Sequence, residues 1–491
     1  MIIRMMGESL AAYDFVTNPK KMLINNYWVD SVSGKNLAVI SPITEEKLCD
    51  IALANDEDVD IAVSAAKKAF ENVWRDMNPH ARAKYLFRIA DLIEQHADEL
   101  AEIQSYDMGQ ILADSKRLAL SQANTFRYYG GWISKVTGQT FPTDGRSFNF
   151  SLRRPLGVVG GIIPWNGPVL AASWKIASAI AFGNTIVLKT AEEAPLAPLR
   201  LGELMVESGL PAGVVNIITG SGKEAGQRLV DHPDVAKITF TGSTRVGQHI
   251  LRSSADTLKK VTLELGGKSP TIIFPDADMD KAIQGAVDGF VAGSGQGCVC
   301  GTRIFVHESV YEDVKNKIAD VISALKIGSP FEPDTKLAPL AFERHFHTVC
   351  NYLEVGKAEG ATVVSGGHKL DRKGYFVEPT LFENVSEGMR IYQEEIFGPV
   401  AVILPFKDED EVVRMANNTQ YGLACSIYTS NLKTAYSVAS RIKSGIIWVN
   451  MTLELDVSVP FGGYKLSGIG REHGYESMDE FTQKKSIMMR F

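Results

Sequence analysis

The chain has 491 residues, of which 45% are hydrophobic and 22% charged, with 43 Gly and 20 Pro. This composition is typical of a globular protein with a large core, and it excludes a disordered chain or a small disulfide-stapled scaffold. The formal net charge of −7, with basic residues scattered along the chain, argues against a nucleic-acid partner.

No apolar run is long enough to cross a membrane, and the apolar stretch at residues 1–6 is too short for a secretory signal. We therefore expect a cytoplasmic protein with no membrane partner. The five cysteines, at positions 49, 298, 300, 350 and 425, are an odd number without a Cys-x-x-Cys pair, so reduced thiols are expected.

The first 130 residues have helical periodicity. Apolar side chains recur every three or four residues between positions 59 and 73, and a second amphipathic run begins behind Asn78-Pro79, a cap with a first-turn proline. These helices are expected to pack on a sheet. Residues 147–152 alternate polar and apolar, which predicts a hairpin-like arm within residues 133–153.

Strand and helix patterns alternate from Gly157 to Gly267, which predicts a parallel, doubly wound sheet. Its apolar runs are residues 158–163, 185–188, 214–218, 238–240 and 261–265. A second α/β region follows, in which Asp278 is expected to cap a helix that reaches Val291. Its other predicted elements are a helix at 310–325 and strands at 303–306, 399–405, 426–428 and 445–449.

Polar residues stand at the carboxyl ends of the first five strands, where a parallel sheet binds its ligand. They are Asn166, Lys189, Glu192, Ser221, Ser243, which follows Gly242, and Glu264. Loops are polar in most proteins, so any one of these residues alone is weak evidence for a binding site. Their joint placement in one crevice favours a binding site.

Two of these positions are suited to a dinucleotide. Residues 242–247 follow a strand and open a helix, which can face a pyrophosphate, although the middle glycine of the usual fingerprint is absent and an ordinary helix-opening turn fits equally. Glu192 can accept both hydroxyls of an adenosine ribose and would repel a ribose phosphate, which favours NAD over NADP. The alternative is a surface salt bridge.

Cys298 ends the glycine-rich bend at residues 293–297. A thiol acts as a nucleophile only where its surroundings favour the thiolate, and a specially placed loop can provide that setting, whereas most single cysteines are structural. His345 and His347 have a spacing that suits a strand face, and no third ligand accompanies them, so no metal site is expected.

From Ile24 onward the chain resembles the NAD(P)-dependent aldehyde dehydrogenase superfamily. The resemblance is carried by Pro164-Trp165-Asn166, residues 189–192 and 240–247, Glu264-Leu265-Gly266-Gly267-Lys268-Ser269-Pro270, Gly295-Gln296-Gly297-Cys298 with Arg303, residues 394–400, and Pro460-Phe461-Gly462-Gly463-Tyr464-Lys465. It implies an α/β fold with three parts: a Rossmann-like cofactor domain (1–132 and 154–266), an α/β catalytic domain (267–465), and a small β oligomerisation or bridging part (133–153 and 466–491).

The resemblance also implies roles for individual residues. It makes Cys298 the nucleophile, Glu264 the general base and Asn166 the oxyanion donor, with Lys175 and Glu472 on a proton path. The cofactor-binding residues that it implies, together with those argued above, are Trp165, Lys189, Glu192, Gly242, Ser243, Glu395 and Phe397. The expected reaction is NAD-dependent oxidation of an aldehyde to a carboxylic acid, in a homodimer or homotetramer.

The chain departs from the family where an aromatic residue often follows Asn166, since Gly167 stands there and Ala171 lies one turn on. We therefore expect a wide acyl pocket walled by Trp174 and Phe461, and a bulky apolar or aromatic aldehyde as substrate. A carboxylate-bearing semialdehyde is disfavoured by the acidic residues of the loop at 451–459. The alternatives are a coenzyme-A-acylating enzyme, against which Glu264 argues, and a catalytically silent protein.

Overall fold

The structure, a computed structural model, describes residues 10–491. The apolar stretch at residues 1–6 lies outside this range. The strands of the described residues are β1 Met22–Ile24, β2 Tyr27–Val29, β3 Asn36–Ile40, β4 Lys47–Ala52, β5 Thr140–Phe141, β6 Ser147–Pro155, β7 Val158–Ile162, β8 Thr185–Lys189, β9 Val215–Ile218, β10 Val235–Thr241, β11 Lys260–Glu264, β12 Pro270–Ile273, β13 Arg303–His307, β14 Thr362–Ser365, β15 Thr380–Glu383, β16 Val400–Phe406, β17 Ala424–Tyr428, β18 Ile446–Val449, β19 Gly468–Ile469 and β20 Thr482–Arg490.

The α-helices are α1 Leu10–Thr17, α2 Asp56–Ala69, α3 Pro79–Gln95, α4 Ala97–Met108, α5 Leu112–Trp132, α6 Pro168–Ala181, α7 Leu196–Glu207, α8 Gln227–Asp231, α9 Thr244–Ser254, α10 Met279–Val291, α11 Tyr311–Ser323, α12 Glu343–Ala358, α13 Arg390–Gln393, α14 Glu409–Asn417, α15 Leu432–Arg441 and α16 Glu476–Phe481. Short 3₁₀ or π turns occupy Phe70–Trp74, Ile133–Lys135, Gly222–Gly226, Ala255–Thr257, Ala292–Gly295, Glu308–Val310 and Lys465–Ser467.

The first sheet has eight strands in the order β19-β11-β10-β7-β8-β9-β1-β2. Its five central strands are parallel, as the sequence predicts. β7, β8 and β9 are buried along their whole length, which their continuous apolar sequences allow because helices cover both faces. One face packs on α2, α8 and α9, and the other on α3 to α7.

The helix starts follow from local sequence. Asn55 and Asp58 form a capping box at the start of α2. The first turn of this helix is acidic and its last turn contains Lys67 and Lys68, which suits the helix dipole. Asn78 caps α3 with Pro79 behind it, and Asp278 caps α10, both as predicted.

The prediction of a helical region over the first 130 residues is wrong for residues 22–52, because β1 to β4 lie there. β1 and β2 have three residues each, too few to show a period, and they extend the first sheet in antiparallel fashion. β3 and β4 form a separate hairpin. The predicted helices α2 and α3 do pack beside the sheet.

The second sheet has seven strands in the order β14-β15-β16-β13-β12-β17-β18, all parallel to their neighbours except β14. A third sheet joins β20, β6 and β5, in which the terminal strand pairs with β6 along nine residues. β19 adds to the edge of the first sheet beside β11, and this pairing brings residues 468–474 next to Glu264.

Candidate active site

Cys298 follows a left-handed turn and lies at the junction of the two large sheets. Gly293, Ser294 and Gly295, which follow α10, all have φ between 59° and 71°. A Cβ at Gly295 would lie 2.2 Å from the main chain of Gly398, so this position admits only glycine. The Gln296 side chain fixes the bend by accepting a hydrogen bond from the Ala341 N–H at 2.9 Å.

The Cys298 thiol is half-buried against an apolar cluster formed by Trp174, Leu423 and Phe461. Burial, reinforced by the Glu395 and Glu264 carboxyls, raises the pKa of the thiol. The neighbouring Cys300 is fully buried, and burial raises the pKa of its thiol to about 12. Cys298 is therefore the more accessible of the two thiols.

Asn166 reaches the nucleophile loop from beyond the end of β7. Its Nδ2 donates to the main-chain oxygen of Gln296 at 2.7 Å. An amide nitrogen carries two N–H groups, so one remains for another acceptor beside Cys298.

Glu264 is the last residue of β11 and is 2% exposed. Neither of its carboxyl oxygens has a hydrogen-bond partner within the described part of the chain. Burial, with Glu472 as the next cause, raises the pKa of Glu264 well above its ordinary value. An unpaired acid of this kind in a cavity with a thiol is suited to proton transfer.

A buried ion pair stands behind Glu264. Lys175 Nζ of α6 lies 2.6 Å from Glu472 Oε1, and it donates to the hydroxyls of Thr239 at 3.2 Å and Thr241 at 2.8 Å. Thr239 also donates to Glu472 at 3.1 Å. Neither charged side chain is more than 6% exposed. The structure thus brings together the two residues that the resemblance places on a proton path.

Two adjacent glycines after Glu264 allow close approach of other groups. A Cβ at Gly266 would lie 2.2 Å from Glu395 Oε2, and one at Gly267 would lie 2.2 Å from the main-chain oxygen of Cys298. Glu395 accepts a hydrogen bond from the Gly267 N–H at 2.9 Å, and burial raises the pKa of Glu395 to about 7.

A cavity of about 260 Å³ opens on one side of Cys298. Its wall includes Asn166, Gly242, Ser243, Glu264 and Glu395, together with an aromatic group formed by Trp165, Phe342, His345 and Phe397. The Trp165 ring lies 5.3 Å from that of Phe397, measured between centroids. Phe397 has a left-handed backbone, with φ of 62°, and its carbonyl oxygen lies 2.7 Å from His345 Nε2.

The remaining predicted cofactor residues lie along the same sheet edge. Ser243 caps α9, and the Gly242 N–H donates to the main-chain oxygen of Glu264 at 3.0 Å. Glu192 is half-buried, and its Oε1 accepts from the Gly222 N–H at 2.8 Å at the turn after β9. Lys189 is 5% exposed, and burial lowers its pKa.

Two further cavities, of about 370 and 420 Å³, lie on the other side of the cluster that contacts Cys298. Phe461 lines the first and Trp174 the second, with their rings 5.1 Å apart. Gly167 precedes α6, and a Cβ there would meet only Leu170, at 3.8 Å. Ala171 is 4% exposed and packs in the core beside the first sheet.

The strand-face interpretation of His345 and His347 is wrong, because both lie on α12. A spacing of two places them on different sides of a helix. His345 is buried, whereas His347 is exposed. Sequence reasoning missed the contact of His345 with Phe397, and it also missed His473, which lies beside Trp174. No spacing signal marks either residue.

Across residues 10–491, no group of three His, Cys, Asp or Glu side chains could hold a metal ion. In the same part of the chain, no helix is long and apolar enough to cross a membrane.

Comparisons with known proteins agree with this geometry. The family model described as the aldehyde dehydrogenase family matches residues 28–487. The chain is 47% identical over 474 residues to an aldehyde dehydrogenase of Alternaria alternata, covering 96% of this chain and 95% of that protein. It is 46% identical over 474 residues to an aldehyde dehydrogenase of Enchytraeus buchholzi, with the same coverage of both chains.

Solved structures show the same similarity. An NAD+ complex of an aldehyde dehydrogenase from Bacillus cereus superposes with a TM-score of 0.97 at 44% identity, covering 99% of both chains. A betaine aldehyde dehydrogenase from Staphylococcus aureus in complex with NAD+ has a TM-score of 0.96 at 35% identity, covering 100% of this chain and 98% of that one.

Proposed function

The chain belongs to the aldehyde dehydrogenase family, and from that premise we propose that it oxidises an aldehyde to the carboxylic acid through a covalent intermediate on Cys298, with NAD as the oxidant. The observation that supports this most is the position of the Cys298 thiol. It lies between a cavity lined by Asn166 and Glu264 and an aromatic cluster that two further cavities reach.

In the first half-reaction the Cys298 thiolate adds to the aldehyde carbon, and the carbonyl oxygen becomes an oxyanion. The second N–H of the Asn166 amide and the main-chain N–H of Cys298 are the donors available to that oxygen. Because Asn166 is already held by Gln296, its amide is oriented before substrate arrives. Loss of one such donor typically slows turnover about 100- to 1,000-fold.

In the second half-reaction water hydrolyses the thioester, which returns the Cys298 thiol and releases the acid. Glu264 removes the proton from that water, since it is the unpaired carboxyl in the same cavity. The Lys175–Glu472 pair and the Thr239 hydroxyl form a hydrogen-bonded group that can take up the proton from Glu264.

The cavity of about 260 Å³ beside Cys298, which we call the cofactor-side cavity, and Glu192 further along the same sheet edge fit NAD by their donor chemistry. The Glu192 carboxylate can accept ribose hydroxyls, and the helix start at Ser243 can offer main-chain N–H groups to a pyrophosphate. Trp165 and Phe397 supply apolar walls for the nicotinamide side, and Glu395 supplies an acceptor. When bound, NAD accepts the hydride that leaves the substrate carbon.

The acyl side favours a bulky apolar or aromatic aldehyde. Trp174 and Phe461 provide flat apolar surface, and the space around the position of a Cβ at Gly167 holds only Leu170. We expect benzaldehyde to exceed acetaldehyde about ten-fold or more in kcat/KM. A preference for acetaldehyde would contradict this part of the proposal.

We also propose a homodimer or homotetramer. β5, β6 and β20 form a three-stranded sheet that exposes Phe148 and Met488, and Phe491, which follows β20, is also exposed. Such an apolar edge is normally covered by another subunit. Light scattering at micromolar concentration that shows only a monomer would refute the assembly.

The Cys298→Ala variant tests the central proposal, with Cys300→Ala as the matched control. NADH formation from benzaldehyde should fall below about one hundredth of the wild-type rate in Cys298→Ala. NAD binding, measured by fluorescence titration, should persist in that variant. Cys300→Ala should keep most activity. If Cys300→Ala is inactive and Cys298→Ala is active, the nucleophile is Cys300 and the assignment of Cys298 is wrong.

A further inference from the structure

His473 is a buried histidine whose ring does not complete its hydrogen bonds within the protein. It follows β19 and is 3% exposed, and its imidazole packs against the Trp174 indole with 4.0 Å between ring centroids. Its Nδ1 has no hydrogen-bond partner among residues 10–491. Buried polar atoms are normally paired, so this ring has a hydrogen-bonding capacity that the described residues leave unused.

The same ring forms part of the wall of both cavities on the acyl side. The cavities of about 370 and 420 Å³ share His473 and three residues of the adjacent loop, Glu454, Leu455 and Asp456. Trp174 lines one cavity and packs in the cluster that contacts Cys298. An acyl group bound at Cys298 and lying along this indole would therefore bring its far end toward His473.

The hydrogen-bonding state of the His473 ring indicates which substrate group it can bind. Burial lowers the pKa of His473 to about 4, against the opposing effect of Glu472 and Asp456, so the imidazole is neutral at neutral pH. A neutral imidazole nitrogen is either a donor or an acceptor, depending on the tautomer. A hydroxyl group can serve as both, so it complements the His473 ring in either tautomer.

The acidic residues of the loop at 451–459 disfavour substrates that carry a carboxylate. Glu454 and Asp456 are both exposed at the cavity walls, and neither has an ion-pair partner in the described chain. Arg117 also lines the cavity of about 420 Å³, but it is paired with Asp114, so the two carboxylates should still repel a carboxylate on the substrate.

We propose that His473 is a specificity-determining residue that hydrogen-bonds a hydroxyl group at the far end of the acyl chain, so that the enzyme prefers hydroxylated aromatic aldehydes to their hydrocarbon counterparts. This inference rests on the proposed function, because Cys298 fixes the position of the aldehyde carbon. It names the substrate class more narrowly than an apolar pocket does.

The test compares para-hydroxymethylbenzaldehyde with para-ethylbenzaldehyde, which differ only by a hydroxyl in place of a methyl group. With the wild-type enzyme and NAD, kcat/KM should be about ten-fold or more higher for the hydroxylated substrate, because a site built for a hydroxyl rejects the analogue that lacks it. Para-carboxybenzaldehyde should be poorer than both. Equal kcat/KM values for the hydroxymethyl and ethyl compounds, or a preference for the ethyl or the carboxylate compound, would overturn the inference.

Two variants locate the effect at His473. The residue has a left-handed backbone, with φ of 63°, which Asn tolerates well and Leu less well. His473→Asn keeps a polar side chain that can donate and accept, and it should retain most of the hydroxyl preference, whereas His473→Leu should lose it. If His473→Leu does not fold, the wild-type ratio still decides, and a ratio that survives in folded His473→Leu would overturn the assignment.

A binding measurement separates this inference from the proposed function. In Cys298→Ala, Trp fluorescence should report tighter binding of para-hydroxymethylbenzaldehyde than of para-ethylbenzaldehyde, since Trp174 contacts the His473 ring. Selective binding without oxidation by wild-type enzyme would refute the proposed function alone. Oxidation of both aldehydes without selectivity would refute the role of His473 alone.

Discussion

Gly267→Ala should misplace the nucleophile, although the change adds a single methyl group. A Cβ at this position would lie 2.2 Å from the main-chain oxygen of Cys298 and 3.3 Å from the Leu423 side chain. Ordinary carbon–oxygen contacts begin beyond 3.0 Å, so the carbonyl must retreat by about 1 Å. Because the clash is with main chain, rotation of a side chain cannot relieve it.

A displacement of this size in a reacting group costs about 100-fold in rate. We therefore expect the rate of the first NADH burst, measured by stopped flow with benzaldehyde, to fall by that factor. NAD affinity should change much less than this rate, since Gly267 touches the cofactor-side cavity only through its N–H bond to Glu395.

Two matched variants make the argument specific. At Gly266, the adjacent residue, an added Cβ meets the flexible Glu395 carboxylate at 2.2 Å, so Gly266→Ala should disturb the cofactor side and raise the KM for NAD. Gly131→Ala in α5 meets no atom within 4 Å and should leave both quantities as in the wild type. The reasoning is refuted if Gly267→Ala gives a normal burst, or if its loss of NAD affinity equals its loss of rate.

Three other substitutions test separate parts of the site. Glu264→Gln should keep the NADH burst and lower steady turnover about 100- to 10,000-fold. In the wild type, turnover should fall as the pH drops through the raised pKa of Glu264, at a midpoint above that of an ordinary glutamate. A rate that does not depend on pH would contradict the assignment of Glu264 as the base. Glu192→Ser should narrow the NAD preference over NADP about ten-fold, because it removes a negative charge that would face a ribose phosphate; equal use of both cofactors by the wild type would show that Glu192 does not discriminate. Lys175→Met should destabilise the fold by about 3–5 kcal/mol in urea denaturation, because it strands a buried carboxylate, and Lys175→Met combined with Glu472→Leu should recover most of that loss.

The parts of the fold that repeat a pattern could be predicted from the sequence. The five parallel strands of the first sheet carry continuous apolar runs, and the caps of α3 and α10 follow local rules. Asn166, Lys189 and Glu264 lie at strand ends, so a parallel topology alone places them along one edge. β1 and β2 could not be predicted, since a three-residue strand depends on its neighbours in the sheet.

Residues that reach the site from a distant part of the chain gave no local signal. His345 contacts Phe397 across 52 positions, and Lys175 contacts Glu472 across 297. These contacts exist because β19 returns to the edge of the first sheet and α12 packs beside Trp165. The family motifs indicated Glu472 and Phe397, whereas His345 and His473 belong to no motif and required the structure.

Glu264 is expected to hinder one step of the reaction and to assist another: it disfavours the Cys298 thiolate and promotes hydrolysis of the thioester. Its carboxylate is one cause of the raised pKa of the Cys298 thiol, and it is also the proposed base for hydrolysis of the thioester. Glu264→Gln removes the negative charge, so it should lower the pKa of Cys298 and leave iodoacetamide alkylation of that thiol as fast as in the wild type or faster. The same variant should turn over slowly, because its thioester lacks a base. If alkylation instead slows in parallel with turnover, Glu264 takes the thiol proton as well, and its role as a base for water alone is refuted.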